Sequence, residues 1–286
     1  MPSTPTLDVS DFRISPTKLS DAQLSAQMEA LIGTDRMQRA RTSTGLSDFA
    51  EFVYGIHPEP HQELWIECLE AVEARQIEKL CIIAPPGHAK STYHSIVFPS
   101  WYAGRHYNES LIGVTTVEKL GALYGDTVRS IIEEAGKYKA VFPDVEPWKN
   151  RGWSTDGFFL RGPVKRRREQ KDPTMIYTGA GGPIIGRRAD GVIVDDAVDE
   201  KTARSELLLE ARKLWVNRTV FSRLKPGGWR IVAGTLWAEG DVVDSAMQSG
   251  EYVVVHMAAL STYTSVVADV WIPNGVKWRP SKFVEG

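Results

Sequence analysis

Residues 80–96 read LCIIAPPGHAKSTYHSI. A short apolar run leads into a turn of proline and glycine, and Lys90 and Ser91 then open a segment with helical spacing. This order predicts a buried strand that delivers a tight loop to a helix N-terminus, where backbone N–H groups and a lysine converge on one anion. We therefore expect the loop to bind the phosphates of a nucleoside triphosphate.

The loop departs from the P-loop pattern G-x-x-x-x-G-K-[ST] at both glycines. Ala84 and Ala89 stand at those two positions, and Gly87 is the one glycine between them. Because the pattern is short, an ordinary strand-to-helix turn with a surface lysine is the alternative interpretation. Motifs elsewhere in the chain decide between a P-loop and such a turn.

A second apolar run, residues 191–196 with the sequence GVIVDD, ends in two adjacent carboxylates. In P-loop enzymes a strand beside the P-loop strand ends in an aspartate that holds Mg²⁺, and a neighbouring carboxylate orients or deprotonates the attacking water. Asp195 fits the metal role and Asp196 the catalytic role. The alternative is a strand that simply ends in polar residues.

A third run, residues 230–237 with the sequence RIVAGTLW, places Thr235 at the end of a predicted strand. A hydroxyl at the end of a core strand can sense the γ-phosphate. Together these residues resemble the ATPase domain of the large terminase subunit, the DNA-packaging motor of tailed bacteriophages. The similarity lies in PPGHAKST, in GRRADGVIVDD and in SRLKPGGWRIVAGTLWAEGD, and it runs in order from His61 to Asp241, which is most of the chain.

The resemblance implies a role for each matching residue. Lys90 would contact the β- and γ-phosphates, and Ser91 and Asp195 would hold the magnesium ion. Asp196, which stands where many relatives carry glutamate, would act as the catalytic base. Thr235 matches the position that couples hydrolysis to movement, although the next residue is leucine where the family has arginine.

The resemblance also implies contacts to the base and a cation for catalysis. Gln62, in HPEPHQELW, occupies the position before the first helix where related motors read adenine. Arg187 and Arg188, in the loop GAGGPIIGRR, are candidates for the arginine that stabilises the transferring phosphoryl group, often from a neighbouring subunit; solvated loop charges are the alternative. The other loop residues expected to contact ATP are Pro86, Gly87, His88, Ala89 and Thr92.

The same resemblance implies the cofactors and partners. ATP and Mg²⁺ are the expected cofactors, and double-stranded DNA, a portal protein and a small terminase subunit are the expected partners. A homo-oligomeric ring is expected on the procapsid, with a monomer in isolation. Fewer than 30 residues follow the last predicted strand, too few for the nuclease domain that the family usually carries, so we expect ATP hydrolysis without DNA cleavage.

Three other classes of function stay open on these residues. The first is another P-loop DNA translocase or a helicase-like ATPase. The second is a metal-dependent nuclease that uses Asp195 and Asp196 directly. The third is a nucleotide-binding scaffold without hydrolysis, which the missing glycines allow.

Composition favours a cytosolic enzyme. The 286 residues are 42% hydrophobic and 24% charged, with no apolar run long enough to span a bilayer. The two cysteines, Cys68 and Cys81, lack a metal-binding spacing and suit a reducing compartment. We expect the protein to act in the cytoplasm of a host cell and to contact no membrane.

The net charge of −2 gives no general attraction to DNA. The dense basic run Lys165–Arg168 is a candidate DNA contact, with a solvated loop as the alternative.

The predicted elements alternate between strand and helix. Strands are expected near residues 79–84, 110–115, 174–178, 191–195, 229–234 and 251–257, and helices near 19–32, 61–76, 90–103, 117–135 and 202–223. This alternation predicts an α/β fold, here a P-loop NTPase three-layer sandwich with a mainly parallel central sheet. The expected organisation is an N-terminal arm over 1–45, the ATPase domain over 46–258 and a small C-terminal subdomain or linker over 259–286. Residues 142–168 are irregular and predict a hairpin or a lid over the nucleotide.

Overall fold

A computed structural model describes residues 21–155, 157–163, 171–257 and 268–281. The chain divides into two compact units, Met1–Asp35 and Arg36–Gly286. Residues 36–45, which the sequence assigned to the arm, belong to the second unit. Ala40 is fully buried there, and its carbonyl accepts a hydrogen bond of 2.8 Å from the indole N–H of Trp101. The predicted boundary at residue 45 therefore lies inside the second unit.

The helices of the described residues are α1 (Asp21–Arg39), α2 (Leu46–Phe49), α3 (Pro60–Glu73), α4 (Lys90–Thr92), α5 (Phe98–Arg105), α6 (Glu118–Glu134), α7 (Gly136–Val141), α8 (Glu200–Ala203), α9 (Glu206–Trp215) and α10 (Val242–Gln248). Turns of π-helix continue α2, α4 and α9 over Ala50–Tyr54, Tyr93–Val97 and Val216–Val220, and a 3₁₀ turn follows at Phe221–Arg223. One helical segment therefore runs from the start of α4 to the end of α5, as predicted near 90–103.

The strands of the described residues are β1 (Lys79–Ile83), β2 (Leu111–Thr115), β3 (Glu146–Pro147), β4 (Trp153–Ser154), β5 (Gly157–Phe158), β6 (Leu160–Arg161), β7 (Met175–Gly179), β8 (Ala189–Asp195), β9 (Leu224–Gly234), β10 (Val253–Met257) and β11 (Ala268–Trp271). The main sheet has the order β11-β10-β1-β9-β8-β2-β7-β5-β4. Its six central strands, β10 to β7, pair in parallel, and the pairings outside them are antiparallel.

Helices cover both faces of this sheet. Successive side chains of a strand point to opposite faces, so Leu80 and Ile82 enter one apolar core and Cys81 and Ile83 the other. The first core includes residues of α3, α5 and α6, and the second includes residues of α10 and of the turn after α9. Strands covered on both faces read as continuous apolar runs. The α/β class with a mainly parallel sheet is confirmed, and the arrangement is compatible with the predicted three-layer sandwich.

The strand order corrects one sequence expectation. The acidic strand β8 was expected beside the lysine strand β1, but β9 lies between them and pairs in parallel with both. Thr235, which follows β9, is therefore delivered between Lys90 and the two aspartates. Strand order depends on pairing between distant segments, which the local pattern of apolar residues does not encode.

Two other segments take definite positions. β4 and β5 form a hairpin that extends the sheet at β7, and β3 pairs separately with β6. β11 pairs antiparallel with β10, so the sheet continues past the predicted boundary at residue 258.

The basic run Lys165–Arg168 lies outside the described residues. Within the described residues, no helix combines the length and the apolar character needed to cross a membrane.

Candidate functional site

The turn between β1 and α4 contains two residues with left-handed backbone conformations. We refer to residues 84–91 as the lysine loop. Gly87 has a φ of +85° and Ala89 a φ of +59°. For an L-residue such as Ala89 this conformation costs about 1–2 kcal/mol. Ala89 thus adopts the conformation that suits a glycine, at the position where the P-loop pattern has its second glycine.

Lys90 is held at the carboxyl edge of the sheet by two neighbours. Its side chain is 7% exposed, and its Nζ lies 3.4 Å from Asp196 Oδ2 and donates to Thr235 Oγ1 at 3.2 Å. A buried ammonium group needs such partners, because an unpaired buried charge is strongly unfavourable. The lysine, the loop and Asp196 line one cavity of about 560 Å³.

Asp195 is almost fully buried and does not line this cavity. Its carboxylate accepts hydrogen bonds from Ser91 Oγ at 3.1 Å and Ser95 Oγ at 2.8 Å. His94 Nε2 lies 3.0 Å from Asp195 Oδ1, without the alignment of a full hydrogen bond. Burial alone would raise the pKa of Asp195, but the charge of His94 and the bonds to the serines hold the pKa below its ordinary value. The carboxylate is therefore ionised near neutral pH.

The donor set suits a hard cation. Ser91 supplies a hydroxyl oxygen and Asp195 a carboxylate oxygen, and Mg²⁺ binds through one or two protein oxygens while phosphates and waters complete its shell. No group of three or more His, Cys, Asp or Glu side chains within the described ranges could hold a metal ion without such help. These residues therefore fit a magnesium ion that arrives with a polyphosphate.

Asp196 turns the opposite way from its neighbour. Its φ is +43°, its N–H donates to Ala233 O at 2.9 Å, and its carbonyl accepts from the hydroxyl of Thr116. Asp196 Oδ1 accepts a hydrogen bond of 2.9 Å from the backbone N–H of Thr235. The side chain is 30% exposed, against 1% for Asp195. One aspartate is thus buried against serines, and the other faces the cavity beside Lys90.

The residues predicted to contact ATP divide into two groups. Those that line the cavity are Pro86, Gly87, Ala89, Lys90, Ser91 and Thr92. His88 does not line it; its ring nitrogen Nδ1 lies 3.2 Å from Pro86 O. Gln62 lies in the first turn of α3, not before the helix, where its amide oxygen accepts from Glu59 N at 2.9 Å. Its amide nitrogen lies 3.5 Å from His88 O, so the side chain borders the loop while it caps α3.

Arg187 and Arg188 lie away from the cavity. They precede the first residue of β8, whereas Asp195 ends that strand, and seven strand residues separate the two ends by about 20 Å. Both side chains are exposed, and Arg188 Nη1 donates to Ser222 O at 2.9 Å. In this geometry neither arginine reaches the site of its own chain.

Several residues of the site were missed by the sequence analysis. His94 and Ser95 follow Lys90 and Ser91 by four residues, a helical spacing that could have revealed them. Arg212, in α9, donates to Ala197 O at 2.8 Å beside the cavity. Thr116 and Trp237 line the cavity from the ends of β2 and β9. Thr116 and Arg212 come from segments distant from these motifs, so no local pattern pointed to them. Trp237 ends the run RIVAGTLW, two residues after Thr235, and its place in that run could have revealed it.

No known family model matches this chain, and no curated protein is significantly similar to it in sequence. The chemistry of the site therefore has to be inferred from its own geometry. A buried lysine, a hydroxyl next to an ionised carboxylate and a second, accessible carboxylate surround one cavity. Such a set can bind a polyphosphate with its metal ion and can accept a proton from a water molecule.

Proposed function

We propose that this chain is an ATPase in which the lysine loop is a P-loop, and that it is the motor domain of a viral DNA-packaging terminase. One observation carries the ATPase proposal. Lys90 Nζ lies 3.4 Å from Asp196 Oδ2, and both residues line the cavity. Ser91 also lines it and donates a hydrogen bond to Asp195. The residues that the sequence assigned to phosphate, metal and water are thus neighbours, although about a hundred residues separate them along the chain.

Each group has a role that follows from its surroundings. Lys90 would bind the β- and γ-phosphates of ATP, and Ser91 and Asp195 would hold Mg²⁺. A bound magnesium ion supplies positive charge that offsets the charge on the transferring phosphoryl group. Asp196, the accessible carboxylate, would orient the attacking water and accept its proton. Thr235 contacts both Lys90 and Asp196, so it is suited to sense the γ-phosphate.

The terminase part of the proposal is supported by the ordered sequence resemblance from His61 to Asp241. On this proposal the partners are double-stranded DNA, a portal protein and a small terminase subunit. Copies of the chain would form a ring on a procapsid in the host cytoplasm. Arg187 and Arg188 lie about 20 Å from the carboxyl end of β8. They would therefore have to act in the site of a neighbouring copy.

The geometry gives less support to a nuclease that uses both aspartates. A two-metal nuclease needs accessible carboxylate oxygens that share two ions. Asp196 lines the cavity, whereas Asp195 is 1% exposed and does not line it, so the two carboxylates do not face one shared space. In addition, a nuclease would leave the buried Lys90 without a role.

Magnesium-dependent ATP hydrolysis by the purified chain tests the ATPase proposal. We expect Lys90→Ala and Asp196→Asn each to lower kcat by about 100-fold or more. The asparagine keeps an oxygen for Thr235 N, so that variant should stay folded. Lys139→Ala removes an exposed lysine of α7 and should hydrolyse ATP like the parent. Hydrolysis by Asp196→Asn at the parent's rate would refute the catalytic assignment.

Linear double-stranded DNA tests the motor proposal. A DNA translocase should hydrolyse ATP faster in its presence, and this stimulation should weaken as salt rises, because phosphate contacts release counterions. In a separate assay, a circular plasmid incubated with the chain and Mn²⁺ should stay intact. Metal-dependent cutting that survives Lys90→Ala would support the nuclease instead.

A further inference from the structure

The guanidinium group of Arg212 joins two loops at the edge of the cavity. Its Nη1 donates to Ala197 O at 2.8 Å and lies 3.5 Å from Thr116 O. Ala197 belongs to the loop after β8, and Thr116 to the loop after β2. These two contacts are the hydrogen bonds that Arg212 makes within the described part of the chain. The side chain is half-buried, and the cost of burying its charge is therefore met mainly by backbone carbonyls.

Both partners of Arg212 are attached to Asp196. Ala197 is the next residue in the chain, and the hydroxyl of Thr116 donates to Asp196 O. Asp196 itself has a φ of +43°, a conformation that is unfavourable for a residue with a side chain and persists when its surroundings impose it. Arg212 thus contacts both segments that hold Asp196. The strained backbone of Asp196 directs its carboxylate toward Lys90.

We propose that Arg212 is a positioning residue for ATP hydrolysis: by bridging Ala197 O and Thr116 O it holds Asp196 so that its carboxylate faces the attacking water. The inference rests on the proposed ATPase function. Both contacts come from Nη1, and the side-chain nitrogen of a lysine ends one bond short of that position on a more flexible stem. Lysine at this position should therefore fail to hold both loops. Burial lowers the pKa of Arg212, with Asp199 opposing this, but the group stays charged at neutral pH.

Steady-state kinetics of Arg212→Gln and Arg212→Lys test the proposal. Because a displacement of about 1 Å at a reacting group can cost about 100-fold in rate, we expect kcat to fall by 10- to 100-fold in both variants. The KM for ATP should change by less than about 2-fold. Lys213→Gln removes the neighbouring cation of α9, which pairs with Glu210 at 2.6 Å, and should leave both constants unchanged.

A double-mutant cycle with Thr116→Val separates positioning from a general loss of structure. If Arg212 acts through the Thr116 loop, the double variant should be little slower than the slower single variant, since residues in one network are not additive. Effects on kcat that simply multiply would overturn the inference, as would a parent-like kcat in Arg212→Gln. If Arg212→Gln unfolds, Arg212→Lys takes its place in the cycle. A parent that hydrolyses no ATP would instead refute the proposed function itself.

Discussion

Ala89 shows how a single residue can carry strain in a binding loop. Its left-handed backbone, with a φ of +59°, costs an L-residue about 1–2 kcal/mol. Glycine avoids this cost, but it loses more conformational entropy on folding than alanine does, and this loss costs about 0.4–1 kcal/mol of stability. We therefore expect Ala89→Gly to raise the free energy of unfolding by about 0.5–1 kcal/mol, as measured by urea denaturation.

Ala84 provides the matched control, because it stands at the other glycine position of the P-loop pattern. It is fully buried in the apolar core and has no positive φ. Ala84→Gly should therefore lower the free energy of unfolding by about 0.5–1 kcal/mol. If both glycine variants lost stability equally, the strain at Ala89 would not be real.

At the scale of elements, the strands and most helices were predictable from the chain, but the position of β9 in the sheet was not. The six central strands were predicted because each is a short apolar run that is buried on both faces. The insertion of β9 between β1 and β8 is set by long-range pairing. Lys90, Asp195 and Asp196 could therefore be predicted as neighbours, whereas the contacts of Thr235 to Lys90 and Asp196 could not.

The end of β9 offers an optical test of nucleotide binding. Trp237 lies two residues after Thr235, lines the cavity and is 43% exposed. An indole in contact with a bound nucleotide loses water contacts and meets new charge. We expect Mg²⁺ with a non-hydrolysable ATP analogue to change the tryptophan fluorescence of the parent. This change should disappear in Trp237→Phe.

Trp271→Phe is the control for this experiment. Trp271 is similarly exposed, at 49%, but it lies on the edge strand β11 and does not line the cavity. The nucleotide-dependent change should persist in Trp271→Phe. A change that survives Trp237→Phe and disappears in Trp271→Phe would place the nucleotide elsewhere.

For the molecule as a whole, the α/β class followed from the sequence and the boundaries did not. Alternating strand and helix patterns indicate a sheet covered on both faces. Residues 36–45 belong to a stretch rich in Ser, Thr and Asp, and β11 to a C-terminal stretch that contains proline and few strand signals, so the sequence places both outside the central domain. Their tertiary contacts, such as Ala40 with Trp101 and β11 with β10, place them in it. Such contacts join distant residues, and local composition does not encode them.

The pH dependence of stability is a further property of the whole fold, and Glu70 contributes to it. Burial in α3 raises the pKa of Glu70 to about 7, although the hydrogen bond from Leu46 N lowers it and nearby acids, Glu67 first, raise it further. The Leu46 N to Glu70 Oε1 distance is 2.9 Å. An unfolded chain releases the same proton near its ordinary pKa of about 4.3. The folded state therefore binds this proton more tightly.

This difference fixes the sign of the pH effect. The stabilising contribution of protonated Glu70 is fully present below about pH 4.3 and is lost as pH rises to about 7, because the folded state holds the extra proton in that window. Glu70→Gln keeps an acceptor for Leu46 N without the charge. We expect it to exceed the parent's free energy of unfolding at pH 8, by at most about 4 kcal/mol, and to approach the parent toward pH 5. Glu134→Gln, an exposed change on α6, should follow the parent throughout urea titrations at each pH. If Glu70→Gln followed the parent at every pH too, folding would not raise the pKa of Glu70.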